Sequence, residues 1–277
     1  MIFMESYSSY RFPASAKSEK EADLVVFGVP FDSTVDYMPG ARFGCRAVRE
    51  ATNFIEPFDL KTGKNILEKT KIFDAGDLAP NRGDSKETVE IVRRYVEGLL
   101  KKGKFPLMIG GEHLISLGAV KTLPKGTKIV SFDAHYDLKE VWEGSEYTHN
   151  TWLRRAAEIV GPQNICIIGV RAGDEFEHEF AKKILVNPSK EQLKKFCKGN
   201  IYLSIDMDVF DISIAPGVGT PEPDGMLFRE FDELLKIVCK GKVIGMDLVE
   251  ARPLGDDKIT EILGAKTIFR ALNYIFC

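Results

Sequence analysis

The stretch Lys128-Ile129-Val130-Ser131-Phe132-Asp133-Ala134-His135-Tyr136-Asp137 passes directly from an apolar run into carboxylate and imidazole. An apolar run this short reads as a strand buried on both faces, the kind that builds parallel sheets. In extended chain, residues two apart point the same way, so Asp133, His135 and Asp137 can project to one side. Moving outward, the pattern recurs three times. Phe105-Pro106-Leu107-Met108-Ile109 runs into Gly110-Gly111-Glu112-His113. Residues 201–205 lead to Asp206-Met207-Asp208, and residues 242–246 to Asp247-Leu248-Val249-Glu250. Residues 23–29 and 164–170 give two further buried strands.

Helices are expected between many of these runs. Residues 86–102 carry Val89, Val92, Val96 and Leu99 on one face, with Asp84 or Ser85 as N-cap and Gly103 just past the basic end. Residues 190–197, with Ser189 as N-cap, and residues 229–239 are the other two. Strand and helix in alternation predict an α/β chain, a three-layer α/β/α sandwich with a mostly parallel sheet. Ligands of such sheets sit beyond the carboxyl ends of the strands, where the polar motifs fall.

Composition limits the function classes. With 277 residues, 44% hydrophobic and 29% charged, the chain reads as one soluble globular domain over residues 1–277. A net charge of −3 gives no electrostatic case for nucleic acid or an anionic membrane, and leaves a small cationic substrate open. The first seven residues lack a basic region followed by an apolar one, and no run of about 18 apolar residues exists to span a bilayer. Cys45, Cys166, Cys197, Cys239 and Cys277 are scattered and include no C-x-x-C pair, which suits free thiols and a cytoplasmic location.

The charge pattern names the chemistry. Asp133, Asp137, Asp206 and Asp208 would repel strongly and be costly to desolvate, and their motifs contain no Lys or Arg. Two divalent cations supply the missing positive charge. One imidazole per ion beside several carboxylate oxygens suits octahedral Mn²⁺, with Fe²⁺, Co²⁺ and Ni²⁺ as alternatives; a structural Zn²⁺ site wants nitrogen or sulfur throughout. A single strand-end Asp is more often a helix cap, and a lone His such as His178 is more often surface. Three such motifs, each after an apolar run, are not reached by accident.

These motifs resemble the ureohydrolase family of arginases and agmatinases. The likeness begins at Gly28-Val-Pro-Phe-Asp32 and Pro39-Gly-Ala-Arg-Phe-Gly44. It continues through Asp74-Ala-Gly-Asp77 and the metal motifs, and reaches Glu250-Ala-Arg-Pro253. The resemblance implies one ion held by His113, Asp133, Asp137 and Asp206, and a second held by His135, Asp133, Asp206 and Asp208. It implies that His149, in Tyr147-Thr-His-Asn-Thr-Trp152, shuttles protons at the site mouth, that Glu250 grips the guanidinium, and that Asp137 orients the attacking hydroxide. It also implies a homo-oligomer, trimer or hexamer. This chain departs from the family pattern at Glu112 (usually Asp), Asn150 (usually Gly), Ile212 (usually Pro) and Asp224 (frequently Gly).

The implied reaction is hydrolysis of a guanidino compound to urea and an amine. The segment 138–148 lacks the Asn expected of arginases, carries Lys139 near that slot, and holds Glu140, Glu143 and Glu146. An acidic rim favours agmatine, giving putrescine, over arginine; aminopropylagmatine and guanidinobutyrate remain as alternatives. A metallophosphoesterase fails for want of an upstream D-x-H and a G-N-H motif. A non-catalytic metal-binding homologue is disfavoured by His149 and Glu250 standing beside all six expected ligands.

Overall fold

The computed structural model describes residues 11–277 and the backbone of Met4–Glu5; the reading of residues 1–7 for a targeting signal otherwise lies outside the described residues. The strands are β1 (Met4–Glu5), β2 (Leu24–Val29), β3 (Phe58–Asp59), β4 (Lys64–Asn65), β5 (Ile72–Leu78), β6 (Phe105–Gly110), β7 (Lys128–Phe132), β8 (Ile165–Ile168), β9 (Leu185–Val186), β10 (Asn200–Asp206) and β11 (Lys242–Val249). The helices are α1 (Gly44–Thr52), α2 (Ile66–Lys69), α3 (Ser85–Lys101), α4 (Ser116–Val120), α5 (Trp152–Val160), α6 (Glu175–Ala181), α7 (Lys190–Phe196), α8 (Phe228–Val238) and α9 (Ile259–Phe276).

One sheet runs in the order β1-β5-β2-β6-β11-β10-β7-β8-β9, with β3 and β4 forming a separate ribbon. Every neighbouring pair in it is parallel except β1 with β5. Alternation along a strand sorts side chains into the two layers. Leu24 and Val26 pack with Val48 of α1 and Ile268 and Leu272 of α9. Val25, Phe27 and Val29 pack with Val89, Val92, Val96 and Leu99 of α3. This is the expected three-layer α/β architecture.

Strand order builds the site. After β6 the chain skips to β7, and β11 and β10 later fill the gap between them. The four motif-bearing strand ends thereby become neighbours, at the point where strand order breaks and a crevice opens. A glycine permits the approach of the β2 loop: a Cβ on Gly111 would lie 1.8 Å from the Phe31 carbonyl oxygen. Glu112 N donates to that same carbonyl at 2.7 Å.

Helix limits follow capping chemistry. Asp84 accepts from Glu87 N at 2.9 Å and starts α3; Ser189 and Gln192 form a reciprocal cap on α7. The sequence reading did not find β5, α1, α5 or α9. β5 carries Asp74 and Asp77, which look unlike a buried strand until the buried Arg49 is placed against them. Buried residues lie all around α9, leaving no stripe to read. No helix among the described residues is long and apolar enough to cross a membrane, and all five cysteines are unpaired.

Candidate metal centre

His113 sits in the turn after β6, and its ring is held at Nε2. Its Nε2 lies 2.9 Å from Ser204 Oγ, whose hydroxyl donates to Asp247 Oδ1 at 2.6 Å; Asp247 Oδ2 accepts from Tyr202 Oη at 2.7 Å. A hydroxyl has one proton, and Ser204 gives it to Asp247. Ser204 therefore accepts from His113, which places the imidazole proton on Nε2. Nδ1, the nitrogen left for a metal, then faces Asp206 Oδ2 at 3.0 Å, Asp133 Oδ2 at 3.1 Å and Asp137 Oδ2 at 3.4 Å. Neither His113 Nδ1 nor Asp133 Oδ2 has a hydrogen-bond partner, although both are buried. Trp152 stacks on the His113 ring at 4.3 Å and donates from its indole to Asp137 Oδ2 at 2.8 Å.

A second group adjoins the first. His135 Nδ1 stands 2.8 Å from Asp208 Oδ2 and 3.8 Å from Asp133 Oδ1. Backbone amides orient the carboxylates: Ala134 N donates to Asp208 Oδ1 at 3.0 Å, Asp208 N to Asp206 Oδ1 at 2.8 Å, and His135 N to Asp133 Oδ1 at 2.7 Å. Two sets could each hold an ion, His113 with Asp133 and Asp137, and His135 with Asp133 and Asp208. Within each, the donor atoms lie within 4.8 Å of one another. Asp133 belongs to both. Asp137 and Glu250 adopt left-handed backbone, with φ of 53° and 62°. Non-glycine residues hold such angles only where their surroundings fix them, and such angles cluster at functional sites.

Electrostatics point to missing cations. Burial, helped by the charges of Asp137 and Asp208, pushes the Asp133 carboxyl up to about 7. Burial with Asp208 and Asp133 drives Asp206 well above the usual carboxylate range. For Asp208 the effect of burial is outweighed by His135, and its pKa falls. Burial also works against charging the imidazoles, yet the carboxylates win, lifting His113 well above its ordinary value and His135 to about 11. Among the described residues no lysine or arginine pairs with these carboxylates, so protons on the imidazoles and carboxyls, or bound cations, must balance their charge. Imidazole beside hard carboxylate oxygens, with two buried donor atoms unpartnered, fits divalent transition ions.

These groups open on a cleft of about 240 Å³. His113, His135, Asp137, His149, Asp206, Asp208 and Glu250 line it, and Asp133 is fully buried beneath them. The eight residues expected from the sequence as ligands or catalytic groups are thus brought together. Glu250 Oε1 accepts from His113 N at 2.7 Å; burial, then the charge of Glu112, raises its pKa well above the ordinary value. His149 Nδ1 lies 2.8 Å from the Thr34 carbonyl, and its Nε2 lies 3.6 Å from Asp36 Oδ1.

The rim differs from the sequence reading. Glu140, Glu143 and Glu146 do not line the cleft. Glu140 and Glu146 face Arg154 and Arg155 of α5 at 4.0 and 3.5 Å, on the outer side of the loop. The rim carboxylates come from Asp36, Asp174 and Glu177, and Lys139 is engaged with the last two. Ser204, Asp247, Trp152 and Thr34 were not identified as site residues. Ser204 had a signal, since it precedes Asp206 by two residues on β10 and faces Asp247 across the ladder. The departures from the family pattern fit locally. Asp224 takes φ of 63°, where glycine is favoured and aspartate tolerated. Asn150 is buried and accepts from Thr148 Oγ1 at 2.7 Å, while Ile212 is exposed.

The description "Arginase family" fits residues 22–273. An agmatinase of Bacillus subtilis is 35% identical, with 98% of each chain covered. An N(1)-aminopropylagmatine ureohydrolase of Thermococcus kodakarensis is 34% identical over 99% of this chain and 98% of its own. Among solved structures, the agmatine ureohydrolase of Thermoplasma volcanium superposes with a TM-score of 0.89 at 31% identity, covering 97% of this chain and 95% of that one. Sequence and fold agree over nearly the whole length with the pattern of strand-end carboxylates, and this chain belongs to the arginase family.

Proposed function

We propose that this arginase-family chain is a metal-dependent hydrolase that converts a guanidino compound, agmatine first among them, to urea and an amine. The observation that carries it is His113 Nδ1, buried, without a hydrogen-bond partner and aimed at three carboxylates, next to the buried carboxyl of Glu250. His113, Asp133, Asp137 and Asp206 would hold one ion, and His135, Asp133, Asp206 and Asp208 the other. Mn²⁺ is the ion the mixed imidazole and carboxylate donors favour. When bound, two such ions supply the charge that makes a water a nucleophile near neutral pH.

The chain's own residues do the rest. Glu250 binds the guanidinium through parallel N–H···O bonds, which turns the planar carbon toward the carboxylate cluster. Asp137, pinned by the Trp152 indole, would orient the proton of the attacking water. His149 protonates the leaving amine. The Thr34 carbonyl can only accept, so the Nδ1 proton of His149 stays in place and Nε2 is the nitrogen that gives and regains a proton.

Substrate choice rests on the rim. Asp36, Asp174 and Glu177 face the cleft, and Lys139 is already paired with two of them. Such a rim suits the distal ammonium of agmatine and repels the carboxylate of arginine or guanidinobutyrate. The Thermococcus relative supports a second reading, a longer aminopropyl-extended agmatine. A cytoplasmic homo-oligomer, trimer or hexamer, belongs to this reading. The test is urea release by Mn²⁺-loaded protein from agmatine, aminopropylagmatine, arginine and guanidinobutyrate. Turnover should be fastest with one of the first two. No urea from any of them, with two ions bound per chain, would leave a non-catalytic metal protein.

A further inference from the structure

Thr34 lies on the loop after β2 and uses every polar group it has on two residues distant in sequence. Its N–H donates to Glu112 Oε2 at 2.8 Å and its hydroxyl to Glu112 Oε1 at 2.5 Å. In return its Oγ1 accepts from His149 N at 2.9 Å and its carbonyl from His149 Nδ1 at 2.8 Å. Glu112 is fully buried and does not line the cleft, and among the described residues no Lys or Arg forms an ion pair with it. Its two oxygens are spent on one threonine.

We propose that Glu112 and Thr34 are positioning residues for His149: the carboxylate fixes the threonine, and the threonine sets both the place and the tautomer of the imidazole. This rests on His149 being the proton donor. The clamp accounts for the glutamate in Gly110-Gly111-Glu112-His113. The Phe31 loop is tied to the backbone of Gly111 and Glu112, so Thr34 stands at a set distance from the Glu112 Cα. An aspartate would stop about 1.5 Å short of it, one C–C bond. Two backbone contacts and two side-chain contacts converge on one residue, so losing any member loosens the imidazole without touching a metal ligand.

The experiment uses the full-length Mn²⁺-loaded protein, with metal counted in each variant and urea release from agmatine resolved into kcat and KM. Thr34→Val should retain two ions and a KM within about twofold, while kcat falls about 10–100-fold, the range found for outer-shell partners. Thr34→Ser, which keeps the hydroxyl, should recover most of the loss, and Glu112→Asp should not sustain wild-type kcat. The double variant Thr34→Val/Glu112→Gln should be little worse than Thr34→Val alone, because both cut one chain of contacts. A Thr34→Val protein with wild-type kcat, a loss confined to KM, a loss of metal, or effects that multiply in the double variant would each overturn the clamp. His149→Asn separates this from the parent reading. If that variant keeps wild-type kcat, His149 is not the acid. If it is inert while Thr34→Val is not impaired, only the clamp fails.

Discussion

Two kinds of buried carboxylate cluster lie in this molecule, and they are balanced in opposite ways. Beside β5, Asp74 and Asp77 share one permanent cation, Arg49, itself 1% exposed, whose Nε lies 3.1 Å from Asp74 and whose Nη2 donates to Gly76 O at 2.9 Å. Under α8 and α9, Arg270 reaches Asp232 and Asp59 at 3.0 Å each. In the central crevice the ionic partners of Asp133, Asp137, Asp206 and Asp208 among the described residues are imidazoles. The first kind closes on itself and serves the fold. The second has imidazoles, which can give up their protons to metal ions as an arginine cannot, and that is what a site for exchangeable cations requires.

The comparison breaks most sharply at Asp206. Asp206→Asn should abolish turnover and leave at most one ion per chain, measured by metal analysis and urea release. Its effect on the metal-free protein should have the opposite sign. Burial and like charge hold the Asp206 carboxyl above its ordinary range, so ionisation of this group costs stability near pH 7 and the neutral amide should raise the urea midpoint. Arg49→Met is the counterpart. It strands two buried carboxylates and should cost about 3–5 kcal/mol in urea unfolding, with kcat of the folded fraction unchanged.

A smaller effect sharpens the account of His113. Ser204→Ala frees the Nε2 proton from its fixed acceptor and should weaken metal binding about 10–100-fold, read by competition with a chelator. The smallest effect belongs to the outer loop. Glu140→Gln with Glu146→Gln should change KM for agmatine by less than about twofold, because exposed pairs with arginine contribute little. A large rise would return those glutamates to the substrate.

The candidate ligands were legible in the sequence because each follows an apolar run, and a parallel sheet brings such ends to one edge. Period-two spacing placed Asp133, His135 and Asp137 together, and Asp206 with Asp208. The rim was not legible. Asp36 comes from the loop after β2, and Asp174 and Glu177 from the start of α6, while the nearby glutamates that suggested a rim were claimed by arginines further along the chain in α5. β5 was missed for a related reason: Asp74 and Asp77 read as polar loop until Arg49, from another element, covers their charge. Glu112 read as an altered neighbour of His113, and its contact with Thr34 needed the tertiary fold.

Calorimetric titration of metal-free protein with Mn²⁺ tests the central claim most directly. The account predicts two ions per chain, with protons released on binding because the cluster holds them at neutral pH, and with the second ion lost in Asp208→Asn. Binding of no ion, or of a single ion that is indifferent to Asp208→Asn, would contradict it.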